Sequence, residues 1–336
     1  MTPSPTRTLI RPTLALAAAT LLGCGGPHKS APAAAAPVAA AKADAPLTLE
    51  TAEVLIAELT ARHAKNGGVD PLAQPASVDD VLEILRRDQL DLFGAGVAFM
   101  EKVEGPEGAA LRAQLELSWA EACTMAADAL GDQASRLAKH ANRIREEGDE
   151  AEADALTATA TQLSRAADAL LLVADPHMAR GREAAQKVIA AAPDSYLGYR
   201  VAADYYRLHS KWEDFDKMIT QIEATNPNSN GLVFLRGAAA AQRDFDFEKA
   251  SSFYREALTR DPKFTRAQMA LMLGQGNVGD LHAEFQKLAA LNPKHHLVLW
   301  AKAAIEADYA QWQKEQAASE AAAGEPATKD EAAPQP

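Results

Sequence analysis

The chain has 336 residues, 48% of them apolar, a net charge of −12 and only two cysteines. That length is enough for one or two folded domains. The acidic balance argues against nucleic acid as a partner and against a polybasic membrane-binding face. Alanine-rich stretches with helical spacing dominate, and no run of alternating β-branched residues occurs, so the expected fold class is all-α.

The first 23 residues read as a signal rather than as structure. Arg7 and Arg11 form a positive start, and Leu14 to Leu22 is apolar but too short to span a bilayer. The run ends in Leu21-Leu22-Gly23-Cys24, which resembles the bacterial lipobox. The resemblance implies cleavage before Cys24 and acylation of that cysteine, and buried acyl chains would then anchor the protein to a membrane. Losing the two arginines makes the mature chain two charges more negative. Gly25 follows the cysteine where an aspartate favours inner-membrane retention in enteric bacteria, so the expected location is the outer membrane, facing the periplasm. With Cys24 acylated, Cys123 has no intramolecular partner, and its neighbours Trp119, Ala122 and Ala126 mark it as a small core residue. Residues 24–46, mostly Ala, Pro, Gly and Lys, read as a disordered tether.

Residues 47–175 read as an irregular helical region in which decayed repeats can hide. Leu49, Ala52, Leu55, Ile56 and Leu59 recur at helical spacing, and Gly67-Gly68 stops that helix before a loop over 66–76. Ser77 is an N-cap with Asp79 and Asp80 in the first turn. A stripe from Val78 to Met100 continues, with Gly94 and Gly96 expected to break or kink it and Gly105-Pro106 to end it. Two helices follow, about Glu107–Leu130 and Asp132–Glu147, then a third from Asp149 to Ala174. Asp175-Pro176 reads as a new N-cap with proline in the first turn, starting a helix to about Ala192.

Prolines mark out the next part. Pro193, Pro227, Pro262 and Pro293 are spaced 34, 35 and 31 residues apart, and each closes a helical stretch. In the unit ending at Pro262, the stretch from Phe247 resembles the second half of the tetratricopeptide repeat. Ala250 and Ala257 match its small residues, Tyr254 the large one between them, and Gly237 the small residue of the first helix. The unit from Tyr196 to Pro227 matches through Tyr199, Ala203 and Tyr206, although Phe215 and Ile222 stand where the family prefers alanine. The last unit is short, with Gly274, Gly276 and Gly279 crowding its turn, so its first helix should be truncated. Residues 176–316 thus read as a tetratricopeptide-like solenoid, capped by a helix from His295 to about Gln316 with Trp300, Ile305, Tyr309 and Trp312. A helical bundle with prolines at its turns is the alternative. The tail 317–336 reads as disordered.

No metal, phosphate or nucleophile motif occurs, so no enzyme, metal or cofactor is expected. His295-His296 reads as a surface pair and Glu146 to Glu150 as a solvated turn. The family resemblance implies a concave groove lined by the first helix of each unit. By position it would present Leu197, Arg200, Asp204, Arg207 and Leu208, then Phe234 and Ala238, then Arg266 and Met269. Arg200 and Arg207 lie about two turns apart on one side, with Asp204 between them, and suit an acidic or C-terminal peptide. The chain resembles in outline the tetratricopeptide lipoproteins that scaffold outer-membrane and pilus-secretin assembly. That implies binding of other envelope proteins or peptides. The alternative is the T component of TRAP transporters, a helical lipoprotein thought to pass small ligands to a solute-binding protein.

Overall fold

The computed structural model describes residues 47–64 and 70–324. The signal, Cys24, the tether and residues 325–336 of the tail lie outside the described residues. Among the described residues every regular element is a helix and no strand occurs. No helix among them is long and apolar enough to cross a membrane.

α1 spans Leu49–Ala64, and a 3-10 turn follows at Pro71–Ala73. α2 (Val78–Arg87) opens with a reciprocal cap: Ser77 Oγ accepts from the Asp80 N–H at 3.2 Å, and Asp80 Oδ2 accepts from the Ser77 N–H at 3.0 Å. Asp88, at φ 52, ends α2 in the left-handed region. A second 3-10 turn (Leu90–Leu92) leads into α3 (Phe93–Met100). Gly94 and Gly96, expected to break this stripe, instead lie inside α3. Added Cβ atoms there would stand 3.2 Å from the Trp119 ring and 3.1 Å from Leu115 Cδ2. They are small so that α3 can press onto the next helix.

That helix is α4 (Pro106–Glu146, 41 residues), where two helices were expected. Its partner α5 (Glu150–Ala191, 42 residues) replaces a second expected pair. Asp175-Pro176 is therefore no helix start, and the boundary expected at 175/176 falls inside α5. The proline forgoes its N–H bond to the Leu172 carbonyl and opposes continuation. Packing outweighs it: Leu170, Val173, Ala174, His177 and Gly181 are buried on both sides of the proline. Likewise Leu130, Gln133 and Ala134 keep α4 buried across Gly131. Gly148, at φ 97, turns between the two helices, and Asp149 caps α5 by accepting from the Glu152 N–H at 3.0 Å.

Three helix pairs follow: α6 (Tyr196–Leu208) with α7 (Trp212–Thr225), α8 (Asn230–Gln242) with α9 (Phe247–Arg260), and α10 (Thr265–Leu273) with α11 (Val278–Leu291). α10 has nine residues against thirteen for α6 and α8, as expected of a truncated first helix. Ala250, Tyr254 and Ala257 are all buried. Gly237 fits against them, since a Cβ there would lie 2.7 Å from Tyr254 Cε1. Phe215 and Ile222 are buried as well, filling with bulk the places that alanine takes in the next pair.

α12 (His296–Gly324) extends past the expected end near Gln316 and takes in the first residues of the tail. Tyr309 stacks on His282 of α11 at 3.8 Å between ring centres, and Trp312 lies beside Tyr309.

The two ends of the chain share one core. Val81, Ile84, Phe93 and Leu130 belong to the same buried cluster as Met269, Phe285, Leu288 and Ile305. Polar contacts reinforce this at the C-terminal end of α2. Arg86 Nε donates to Asp261 Oδ2 at 2.9 Å, and Asn292 Nδ2 donates to the Arg87 carbonyl at 2.8 Å. His295 Nε2 stands 3.9 Å from Asp88 Oδ2. His295-His296 is thus not a surface pair: His295 is fully buried and His296 nearly so. His295 Nδ1 accepts from the Leu297 N–H at 3.3 Å, so the pair is the start of α12 driven into the core. Cys123 is fully buried, as its neighbours suggest, and burial pushes its thiol up to about 12.

Candidate functional site

The candidate site is the space between α4 and the first helices of the three pairs. α4 faces it with Gln114, Ser118, Glu121 and Met125, one stripe at helical spacing. α6 supplies Arg200, Asp204, Arg207 and Leu208, α8 supplies Phe234 and Ala238, and α10 supplies Arg266 and Met269. The expected groove residues therefore come together, with the exception of Leu197, which is half-buried and lines neither cavity described below. The groove is not open, because the chain's own α4 occupies it.

A buried polar network joins these helices. Arg207 Nη2 donates to Glu121 Oε1 at 2.8 Å and to Asp204 Oδ1 at 3.1 Å. Arg207 Nη1 reaches Gln242 Oε1 at 3.4 Å. The Arg266 guanidinium pairs with the other Glu121 oxygen, and its Nη1 donates to Asp204 Oδ2 at 3.4 Å. Gln114 Nε2 donates to the same Asp204 oxygen at 3.1 Å, while its Oε1 accepts from Arg200 Nε and Nη2 at 3.3 and 3.1 Å. Asp204 thus orients Arg207, at i+3, and not Arg200, which Gln114 holds instead. Two guanidiniums meet two carboxylates, so the charges cancel, as burial at this depth demands. The Arg207 side chain is 1% exposed, so it is not free to grip a peptide.

Two cavities flank this network. The larger, about 290 Å³, lies among α4, α6, α8, α9 and α10. Met125, Leu208, Ala238, Met269 and Leu273 give it apolar walls, with Arg207, Arg266 and Glu121 at one end. Phe247, half exposed, also lines it. The smaller, about 210 Å³, takes in α2 as well and is richer in polar groups. Phe234 and Arg266 line both, with the guanidinium carbon 5.1 Å from the ring centre, and so form a shared wall.

A separate cluster sits between α4 and α5. Glu116, buried, meets His177 Nδ1 at 2.5 Å and Arg180 Nε at 3.0 Å. Burial alone would raise the Glu116 pKa, but the hydrogen bonds from His177 and Arg180 outweigh it and hold the carboxyl below its ordinary value. The His177 ring stacks on Trp119 at 3.8 Å.

Sequence reasoning missed Gln114, Glu116, Ser118, Glu121 and His177. The available signal was the spacing of Gln114, Ser118 and Glu121 along the buried face of a helix otherwise rich in Ala and Leu. No protein-family model matches the chain, and no curated protein matches it.

Proposed function

We propose that the chain is a lipid-anchored helical-repeat protein of the bacterial envelope that holds a small, mainly apolar molecule in a cavity among its helices. One observation carries this reading: α4 packs on α6, reaches α10 through Glu121 and Arg266, and leaves a cavity of about 290 Å³ between itself and α8. Its volume is near the lower end for small-molecule sites, and its makeup of apolar walls with a few converging polar groups is typical of them. The proline spacing and the small residues Gly237, Ala250 and Ala257 support reading the three pairs as tetratricopeptide-like repeats. The lipobox-like Leu21-Leu22-Gly23-Cys24 supports an acyl anchor, with the outer membrane as its site.

A cavity between the N-terminal helices and the repeats suits the ligand-handling role of a TRAP T component better than an open scaffold groove. The role is binding, not catalysis. A scaffold role for envelope proteins or peptides would have to use another surface. The observation favouring one is the exposed pair Phe245 and Phe247 at the α8–α9 turn, 66% and 51% exposed.

The test is native mass spectrometry of the protein extracted gently from its own membranes. A small molecule should be retained by the wild type and lost from Ala241→Phe, which fills a lining position. A wild type that carries nothing, and whose melting temperature no small apolar compound raises, contradicts the reading.

A further inference from the structure

The smaller cavity has a charge that the protein does not cancel. Three arginines line it. Arg86 pairs with Glu83 and Asp261, and Arg266 with Glu121 and Asp204. Arg200 meets no carboxylate within ion-pair distance among the described residues; its contacts are with the neutral amide of Gln114. That amide is 4% exposed and fixed in turn by Asp204 and Ser118, so the guanidinium is held in place from behind.

The pattern of used and unused donors matters. A guanidinium carries five N–H groups. Gln114 takes one from Nε and one from Nη2. Both N–H groups of Nη1 and one of Nη2 remain, so the Nη1–Nη2 edge, one of the two that can hold a carboxylate with two parallel bonds, stays free. Gly231, in the first turn of α8, makes room for this arm. A Cβ there would lie 2.9 Å from Arg200 Cδ and 3.6 Å from Nη1. The arm therefore lies against the start of α8, whose first N–H groups add positive potential. Asn230 Oδ1, buried in the same cavity, has no hydrogen-bond partner. Leu82, Leu85, Leu235, Phe234 and Phe264 supply the remaining wall as apolar surface.

We propose that Arg200 anchors a small organic monocarboxylate in this cavity. The carboxylate sits on the free edge of the guanidinium, and an apolar body lies against Leu85 and Phe264. This site is distinct from the larger cavity and does not depend on it.

The probe is hexanoate, titrated calorimetrically into the full chain in detergent, beside hexanamide and inorganic phosphate. Hexanoate should bind at least tenfold tighter than the isosteric neutral amide, because only the acid complements an uncancelled guanidinium. It should also bind tighter than phosphate, which has no apolar body. Arg200→Gln should weaken hexanoate at least tenfold, and Arg200→Lys less. Ala241→Phe, in the other cavity, should leave hexanoate binding unchanged, which separates this proposal from the preceding one. Equal binding of acid and amide by the wild type overturns the proposal without reference to any variant. So does an absence of hexanoate binding, tighter binding of phosphate, or full binding by a folded Arg200→Gln protein.

Discussion

Glu121 of α4 receives Arg207 of α6 on one carboxylate oxygen, at 2.8 Å, and Arg266 of α10 on the other. A single side chain from the N-terminal half thus links the first and last of the three helix pairs from inside. α4 therefore stands on the inner side of the pairs, in contact with α6 and α10.

Arg207→Ala should therefore unfold the protein readily and not merely weaken a partner. Removing it strips Glu121 and Asp204 of a buried counter-charge, a loss on the order of 3–5 kcal/mol. Arg260→Ala removes a partly exposed partner of Glu256 and should cost about 0–1 kcal/mol. Urea melts of the two variants check this. Near-equal midpoints would place Arg207 at the surface.

From the sequence, Arg200 and Arg207 are equivalent arms on one helix face. In the structure Arg207 is sealed by α4, and Arg200 retains a free edge. Nothing local encodes that difference, because it depends on where Gln114 and Glu121 come to rest from far along the chain. The helix pairs were legible for the opposite reason: proline spacing and the small residues Ala250 and Ala257 act within a few turns. Local signals misled where long-range packing overrode them. Pro176 did not start a helix, Gly94 and Gly96 did not end one, and His295-His296 was drawn under cover by the contacts around Asp88 and Arg87.

Ala257 is fully buried in the cluster shared by α8, α9 and α10, so Ala257→Leu should overpack it and cost about 1–3 kcal/mol. Glu256→Gln, on the outer side, should cost less than ~0.5 kcal/mol. Thermal melts that rank the two alike would contradict the packing described.

Stability should fall as the solution is acidified from neutral. Burial, and then the neighbouring His295, hold the His296 pKa well below its ordinary 6.5. A folded-state pKa below the unfolded one means that the stabilisation is complete above about 6.5 and is lost as pH drops beneath it. The loss approaches about 1.4 kcal/mol per pH unit while only the unfolded chain takes up the proton. His296→Phe should flatten the dependence of melting temperature on pH between 7 and 5. An unchanged slope would mean that His296 is not buried in its neutral form.

Cys123 should resist thiol reagents in the folded protein and react at once in denaturant, since it is fully buried with its pKa at about 12. Rapid labelling under native conditions would contradict the packing of α4. Separately, Cys24→Ala should move the protein out of the membrane pellet; unchanged pelleting with no incorporated fatty acid would end the lipoprotein proposal.

The most direct test of the central claim, that α4 lies against the inner side of the helix pairs, is a double-mutant cycle between Glu121 and Arg207. Glu121→Gln, Arg207→Gln and the double variant would be compared with the wild type by urea unfolding. Direct contact in a buried network predicts a coupling of roughly 1–3 kcal/mol. Additivity within about 0.5 kcal/mol would mean that the two residues do not meet. The groove would then be open, and the internal cavity would not exist.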